Sequence, residues 1–290
     1  MNNILITGSN GQLGSELKSL EDRFENYKCF FTDRQTLDIT KFDEIEKFCK
    51  ENKITHIINC AAYTAVDKAE EDSINADKIN HLAVKNLATI AKENNIILIH
   101  ISTDYVFDGK NYIPYKEDDK TNPQGIYGKT KLNGELAFKQ SSAKGIIIRT
   151  SWVYSSYGNN FVKTMLRLSQ TKDSLGVIFD QVGSPTYAKD LAKTIIKILN
   201  TQKLDSFNAE IYHYSNEGVC SWYDFAKEIF SLSNIDIEVN PIETKDYPTP
   251  AKRPNYSILN KSKIKNEFNI NIPYWKSSLK ECLMKLKGNK

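Results

Sequence analysis

The sequence predicts an α/β protein built on a doubly wound parallel sheet, and three observations carry that expectation. Short, continuously apolar runs such as Ile4-Leu5-Ile6 and Ile146-Ile147-Ile148 read as strands buried on both faces. Segments with apolar residues at helical spacing, such as Leu13, Leu17 and Leu20, alternate with them. A glycine-rich turn, Thr7-Gly8-Ser9-Asn10-Gly11-Gln12-Leu13-Gly14, joins the first strand to the first helix. Repeated strand–helix alternation gives right-handed crossovers, which cover both faces of a parallel sheet with helices.

Taken in order, Ile4 to Thr7 is the first strand and the Leu13, Leu17, Leu20 helix follows it. Cys29-Phe30-Phe31-Thr32 is the second strand, followed by a helix marked by Phe42, Ile45, Phe48 and Cys49. His56 to Cys60 is the third strand, and Ile79, Ala83, Leu87 and Ile90 line the third helix. Ile96 to Ser102 is the fourth strand, Tyr127 to Phe138 a helix, and Ile146 to Ile148 the fifth strand. Beyond about residue 150 the pattern loosens. Phe161, Met165 and Leu168 mark one helix and Leu191, Ile195 and Ile198 another, with Gly176-Val177-Ile178-Phe179 as a strand between them. Pro241 to Pro254 carries four prolines and reads as a loop. The expected organisation is a Rossmann-type dinucleotide-binding domain over residues 1–150, carrying the catalytic pair. Residues 151–290 form a smaller, mainly substrate-binding region, with some segments returning to the Rossmann core.

Composition narrows the function. The net charge is +3 over 290 residues, with Lys and Glu interspersed, so nothing suggests a nucleic-acid partner. The five cysteines lack zinc-site or CxxC spacing and read as free thiols in a reducing compartment. No signal-peptide pattern and no run near the roughly 18 apolar residues of a membrane span is present. The expectation is a cytoplasmic protein with no membrane partner.

Doubly wound sheets bind ligands beyond the carboxyl ends of their strands. In the glycine-rich turn, Gly8 permits the tight bend, Gly11 lets a pyrophosphate approach the backbone, and Gly14 lets helix and strand pack closely. Asn10, Gln12 and Leu13 complete this cradle, with the helix N-terminus facing the phosphates. The second strand ends in Asp33-Arg34, which offers one feature for each cofactor. A carboxylate binds the ribose hydroxyls of NAD, and a guanidinium meets the 2′-phosphate of NADP. Asp38-Ile39 follows and flanks the adenine.

Tyr127 and Lys131 stand at i and i+4 on one helix face. A neighbouring ammonium stabilises phenolate and lowers the tyrosine pKa. Lys131 is also placed to reach the nicotinamide ribose. Tyr127 then donates its proton to an oxygen that becomes an alkoxide as hydride arrives. Thr103, just beyond the fourth strand, supplies a hydroxyl for the carbonyl.

Longer strings add specificity: Asn59-Cys60-Ala61-Ala62-Tyr63-Thr64-Ala65-Val66-Asp67-Lys68-Ala69-Glu70, Ser102-Thr103-Asp104-Tyr105-Val106-Phe107, Tyr127-Gly128-Lys129-Thr130-Lys131, Arg149-Thr150-Ser151-Trp152-Val153-Tyr154, Gly158-Asn159-Asn160-Phe161 and Tyr247-Pro248-Thr249-Pro250-Ala251-Lys252-Arg253-Pro254. From the first strand to about residue 275 the chain resembles the dTDP-4-dehydrorhamnose reductases of the extended short-chain dehydrogenase/reductase family. That resemblance implies reduction, by NADPH or NADH, of the C4 keto group of dTDP-4-dehydro-L-rhamnose to dTDP-L-rhamnose, for rhamnose-containing polysaccharides. It makes Tyr127 the proton donor, Lys131 its electrostatic partner and Thr103 the carbonyl-binding hydroxyl. The backbone of Ala61, Ala62 and Tyr63 lines the cofactor. Thr103, Asp104 and Trp152 contact the sugar nucleotide, with the indole over the deoxysugar. Arg253 offers a planar fork for the diphosphate.

Some relatives hold a divalent metal through glutamates at a dimer interface. Lys189 stands where one of those carboxylates is sought, so no metal is expected although Glu16 remains. A monomer or a homodimer fits. The alternatives are a nucleotide-sugar epimerase or dehydratase of the same fold, and a catalytically idle regulatory subunit. The presence of Thr103, Tyr127 and Lys131 weighs against idleness.

Overall fold

The computed structural model describes residues 2–201 and 203–288. Six strands form the central sheet: β1 (Asn2–Thr7), β2 (Tyr27–Phe31), β3 (His56–Asn59), β4 (Ile97–Thr103), β5 (Gly145–Thr150) and β6 (Glu210–Tyr214). Their order is β6-β5-β4-β3-β1-β2, and every neighbouring pair is parallel. The expected α/β doubly wound sheet is therefore present. The winding direction reverses between β1 and β3, so a crevice opens beyond their carboxyl ends.

Successive strand residues alternate between two cores, as the twofold pleat requires. Ile4 and Ile6 join Leu13, Leu17, Leu191, Ile195 and Tyr212 on one face. Leu5 joins Ile57, Leu87, Leu98 and Ile147 on the other. The helices α1 (Gln12–Lys18), α2 (Phe42–Glu51), α3 (Ala83–Glu93) and α4 (Ile126–Ser141) lie where the periodicity places them. The third helix differs in one respect. Its first part, Ser73–Asp77, enters α3 through a single π-helical turn, Lys78–Leu82.

The chain beyond residue 150 serves two cores. Helix α5 (Ala188–Asn200) packs on α1 and adds Leu191, Ile195 and Ile198 to the core beneath Ile4 and Ile6. Strand β6 extends the sheet beside β5, and Ser262–Phe268 packs on β6. A separate cluster gathers Tyr154, Tyr187, Phe225, Trp275 and Leu279 among the helices Phe161–Leu168, Trp222–Ser233 and Trp275–Gly288. Pro241 corrects the expected loop: it lies in the strand Glu238–Ile242, paired with Ser174–Ile178 in a two-stranded ribbon. Such a ribbon leaves each strand one free edge, where a missing N–H costs no ladder bond.

Among the described residues no helix is long and apolar enough to cross a membrane. The five cysteines are free thiols.

Candidate active site

A cavity of ≈ 820 Å³ opens at the reversal point of the sheet. Gly8, Asn10 and Gly11 line it after β1, Asp33, Arg34, Asp38 and Ile39 after β2, and Ala61, Ala62 and Tyr63 after β3. Gly8 has φ +64°, and a Cβ there would sit 2.7 Å from the Ala61 backbone. Only glycine combines that left-handed bend with so close an approach. A Cβ on Gly14 would lie 2.4 Å from the Gly8 carbonyl oxygen, so helix and turn pack as expected. Gln12, Leu13 and Gly14 are not on the cavity wall. Leu13 is buried in the core, and Gln12 turns toward the second region, its Oε1 accepting from Asn160 Nδ2 at 3.0 Å.

Asp33 and Arg34 part company. Asp33 Oδ1 accepts from the backbone N–H of Thr36 (2.9 Å) and Gln35 (3.0 Å), and Oδ2 from Asn10 Nδ2 (2.6 Å). The Thr36 amide leads the hydrogen bonds that hold its carboxyl below the usual range. Arg34 is exposed on the cavity rim. Partial burial pushes the Asp38 carboxyl up, but hydrogen bonds from Thr40 and the charges of Arg34 and Lys78 outweigh it and leave it low.

Beyond β4, Thr103 and Asp104 meet the start of α4. The N-cap of α4, Gly125, has no side chain to offer, so Glu70 Oε1 from the segment after β3 accepts from Ile126 N–H at 2.8 Å. Gly128 lets the helix press on the loop after β4: a Cβ there would fall 2.3 Å from the Tyr105 carbonyl oxygen. The Tyr127 ring then packs edge-on against Tyr105, centroids 5.4 Å apart. Thr103 Oγ1 donates to Asp104 Oδ1 at 3.0 Å. Burial raises Asp104 to about 7, and its Oδ2 is without a hydrogen-bond partner among the described residues.

The expected lowering of the Tyr127 pKa is corrected here. Desolvation raises it to about 12, Thr103 opposes this with a hydrogen bond, and the Asp104 charge adds to it. Lys131 does not offset the rise, because its ammonium, 2% exposed, donates to the Ile101 carbonyl at 2.7 Å. Burial brings Lys131 itself down to about 8. At neutral pH the phenol keeps its proton and the lysine keeps its charge.

Trp152 and Arg253 also sit differently from expectation. Trp152 adopts φ +49° and stacks on Trp222 at 3.5 Å between ring centroids, so one indole face is already covered. The Arg253 fork is held by Asp67, through Nη1–Oδ1 at 2.8 Å and Nη2–Oδ2 at 2.7 Å. The guanidinium nevertheless lies close to the site, since its charge acts on Tyr105. Lys189 donates to Glu281 at 2.7 Å, and buried Glu16 accepts from Ser155 (2.6 Å) and Lys285 (3.1 Å).

Sequence reasoning missed Asn80. It is 1% exposed and lies in the π-helical turn. Its Oδ1 accepts from Tyr63 N–H (2.9 Å), and its Nδ2 donates to the Tyr63 carbonyl (3.1 Å) and Thr130 Oγ1 (3.3 Å). One amide thus ties the cavity wall to the helix that carries Tyr127. Periodicity reads Asn80 as an ordinary helical polar residue; only the π turn swings it inward.

The sequence model of the RmlD substrate binding domain family matches residues 1–287. A dTDP-4-dehydrorhamnose reductase of Aggregatibacter actinomycetemcomitans is 44% identical, covering 97% of this chain and 98% of that protein. The crystal structure of a dTDP-4-dehydrorhamnose reductase from Clostridium acetobutylicum is 47% identical, with a TM-score of 0.92 over 98% of this chain and 99% of that one. The Bacillus anthracis dTDP-4-dehydrorhamnose reductase, solved in complex with NADP, is 39% identical, with a TM-score of 0.93 over 98% and 100% of the two chains.

Proposed function

The chain belongs to the RmlD substrate binding domain family, and on that premise we propose that it reduces the C4 keto group of dTDP-4-dehydro-L-rhamnose to give dTDP-L-rhamnose. NADPH or NADH is the reductant, and the product feeds rhamnose-containing polysaccharide. The observation that carries this reading is the protonated phenol of Tyr127 beside the Thr103 hydroxyl, at the end of the sheet that also opens the glycine-floored cavity. The cavity fits a dinucleotide: Gly8 and Gly11 leave its floor free of side chains, and Arg34 and Lys78 bring positive charge to its rim. Bound there, the cofactor supplies the hydride.

The chain's own groups do the rest. Thr103 Oγ1 orients the ketone oxygen, and Tyr127 Oη donates its proton to that oxygen as it becomes an alkoxide. Lys131, on the same helix face as Tyr127, serves the nicotinamide ribose with its ammonium. Asn80 holds the Tyr63 peptide in the cavity wall. The half-buried Trp152 indole and the Arg253 fork serve the sugar nucleotide. On this reading the enzyme works in the cytoplasm, as a monomer or homodimer, without nucleic acid.

The test runs the reaction backward: dTDP-L-rhamnose with NADP or NAD, following reduced cofactor by absorbance. Stoichiometric appearance of reduced cofactor is expected. Interconversion of nucleotide sugars with no net reduced cofactor would establish an epimerase instead.

Arg253→Ala has a smaller expected effect than a free arginine would give. A charged hydrogen bond is worth about 1.5–3 kcal/mol, but a diphosphate must draw the fork away from Asp67. The KM for the nucleotide sugar should rise about tenfold, the lower end of that range, with cofactor affinity unchanged. A fall in cofactor affinity would place Arg253 in the other subsite.

A further inference from the structure

Glu135 stands one helical turn beyond Lys131 on α4 and is 1% exposed. Its Oε1 accepts from Ser102 Oγ (2.5 Å) and Arg149 Nε (2.9 Å), and its Oε2 from Arg149 Nη2 (2.6 Å). Arg149, on β5, lies 5.0 Å over the Phe107 ring and also donates to the Glu117 carbonyl at 3.4 Å. Two strands therefore hold the carboxylate still. Residues at i and i+4 share a helix face, so it is held on the side of Lys131. A buried ammonium needs an anion nearby, and among the described residues the Lys131 ammonium donates only to a neutral carbonyl, that of Ile101.

We propose that Glu135 is a positioning residue of this reaction: it sustains the charge of the Lys131 ammonium and, through Ser102, fixes the end of β4 that presents Thr103. The proposal rests on reading Tyr127 and Lys131 as the catalytic pair. The groups around Lys131 single out Glu135. From β4, His100 is neutral, because burial and then the charge of Lys131 hold it well below its usual range. From β5, Arg149 is paired to Glu135. On α4 itself, Tyr127 is protonated, and Asp104 from the loop after β4 is raised to about 7 by burial. Burial lowers Lys131, and the charge of Glu135 is what works against it.

The experiment follows two readouts in Glu135→Gln: the pH profile of kcat/KM, and the 15N titration of Lys131 Nζ, assigned as the resonance missing in Lys131→Met. Both midpoints are expected to move acidward by about one unit, a tenfold change in the protonation equilibrium. Glu135→Asp keeps the charge and should hold both midpoints near their native positions. A purely structural role would lower Tm and turnover at every pH and leave the midpoints in place, which overturns the proposal. If Glu135→Gln does not fold, Glu135→Met with Arg149→Met removes the whole pair, an exchange that cores often tolerate. An acidward Nζ midpoint there again supports the proposal, and a stationary one overturns it. An Nζ midpoint that moves while the activity profile does not refutes the catalytic reading of Lys131 and leaves the coupling to Glu135 standing.

Discussion

Tyr127→Phe is expected to lower kcat for ketone reduction about 100- to 10,000-fold, the range general acid catalysis supplies. The substitution removes one hydroxyl and nothing else. The ring keeps its edge contact with Tyr105, and the helix keeps its start on Glu70. Cofactor affinity and Tm should therefore stay near the native values. The raised pKa of about 12 gives the pH dependence a sign. The reductive direction needs the phenol protonated, so Tyr127 imposes no loss of activity across the neutral range. The oxidative direction needs it deprotonated and should accelerate as pH rises. Steady-state rates in both directions check this, and turnover within about threefold of native in Tyr127→Phe would remove the residue from the chemistry.

Lys131→Met separates catalysis from stability more sharply. A reactant misplaced by about 1 Å costs about 100-fold, and that much kcat should be lost when no ammonium holds the nicotinamide ribose. Stability should hold or improve at neutral pH, because an apolar chain replaces a buried charge. The linkage sign is opposite to that of a salt-bridged lysine. The folded pKa, about 8, lies below the ordinary lysine value of 10.5. Charging Lys131 therefore costs the folded state in full below pH 8, and that cost is relieved as pH rises from 8 to 10.5. The Tm advantage of Lys131→Met should be largest near neutrality and shrink in alkali. A Tm several degrees below native at pH 7 would mean that the bond to Ile101 outweighs the desolvation.

What could be read from the chain follows the range of the interaction responsible. Strands β1 to β5 and helices α1 to α4 rest on local periodicity, and the glycine-rich turn on local backbone geometry. Strand β6 was not legible. Its Glu-Ile-Tyr-His-Tyr run is short, and only pairing with β5, about 60 residues earlier, makes it the sheet edge. Asn80 escaped notice for the same reason: its partners Tyr63 and Thr130 are brought to it by the fold.

The sequence by itself determined the sheet, the phosphate-type turn and the Tyr127–Lys131 spacing, since each depends on residues within a few positions of one another. Tertiary structure alone decided the electrostatics. A tyrosine beside a lysine suggests a lowered pKa, yet packing shields Tyr127 from water while Lys131 turns to Ile101, and desolvation wins. Likewise Arg253 is a free fork in the sequence but is held by Asp67, 186 residues away, in the fold. Charge and burial act through space, so the fold sets their balance.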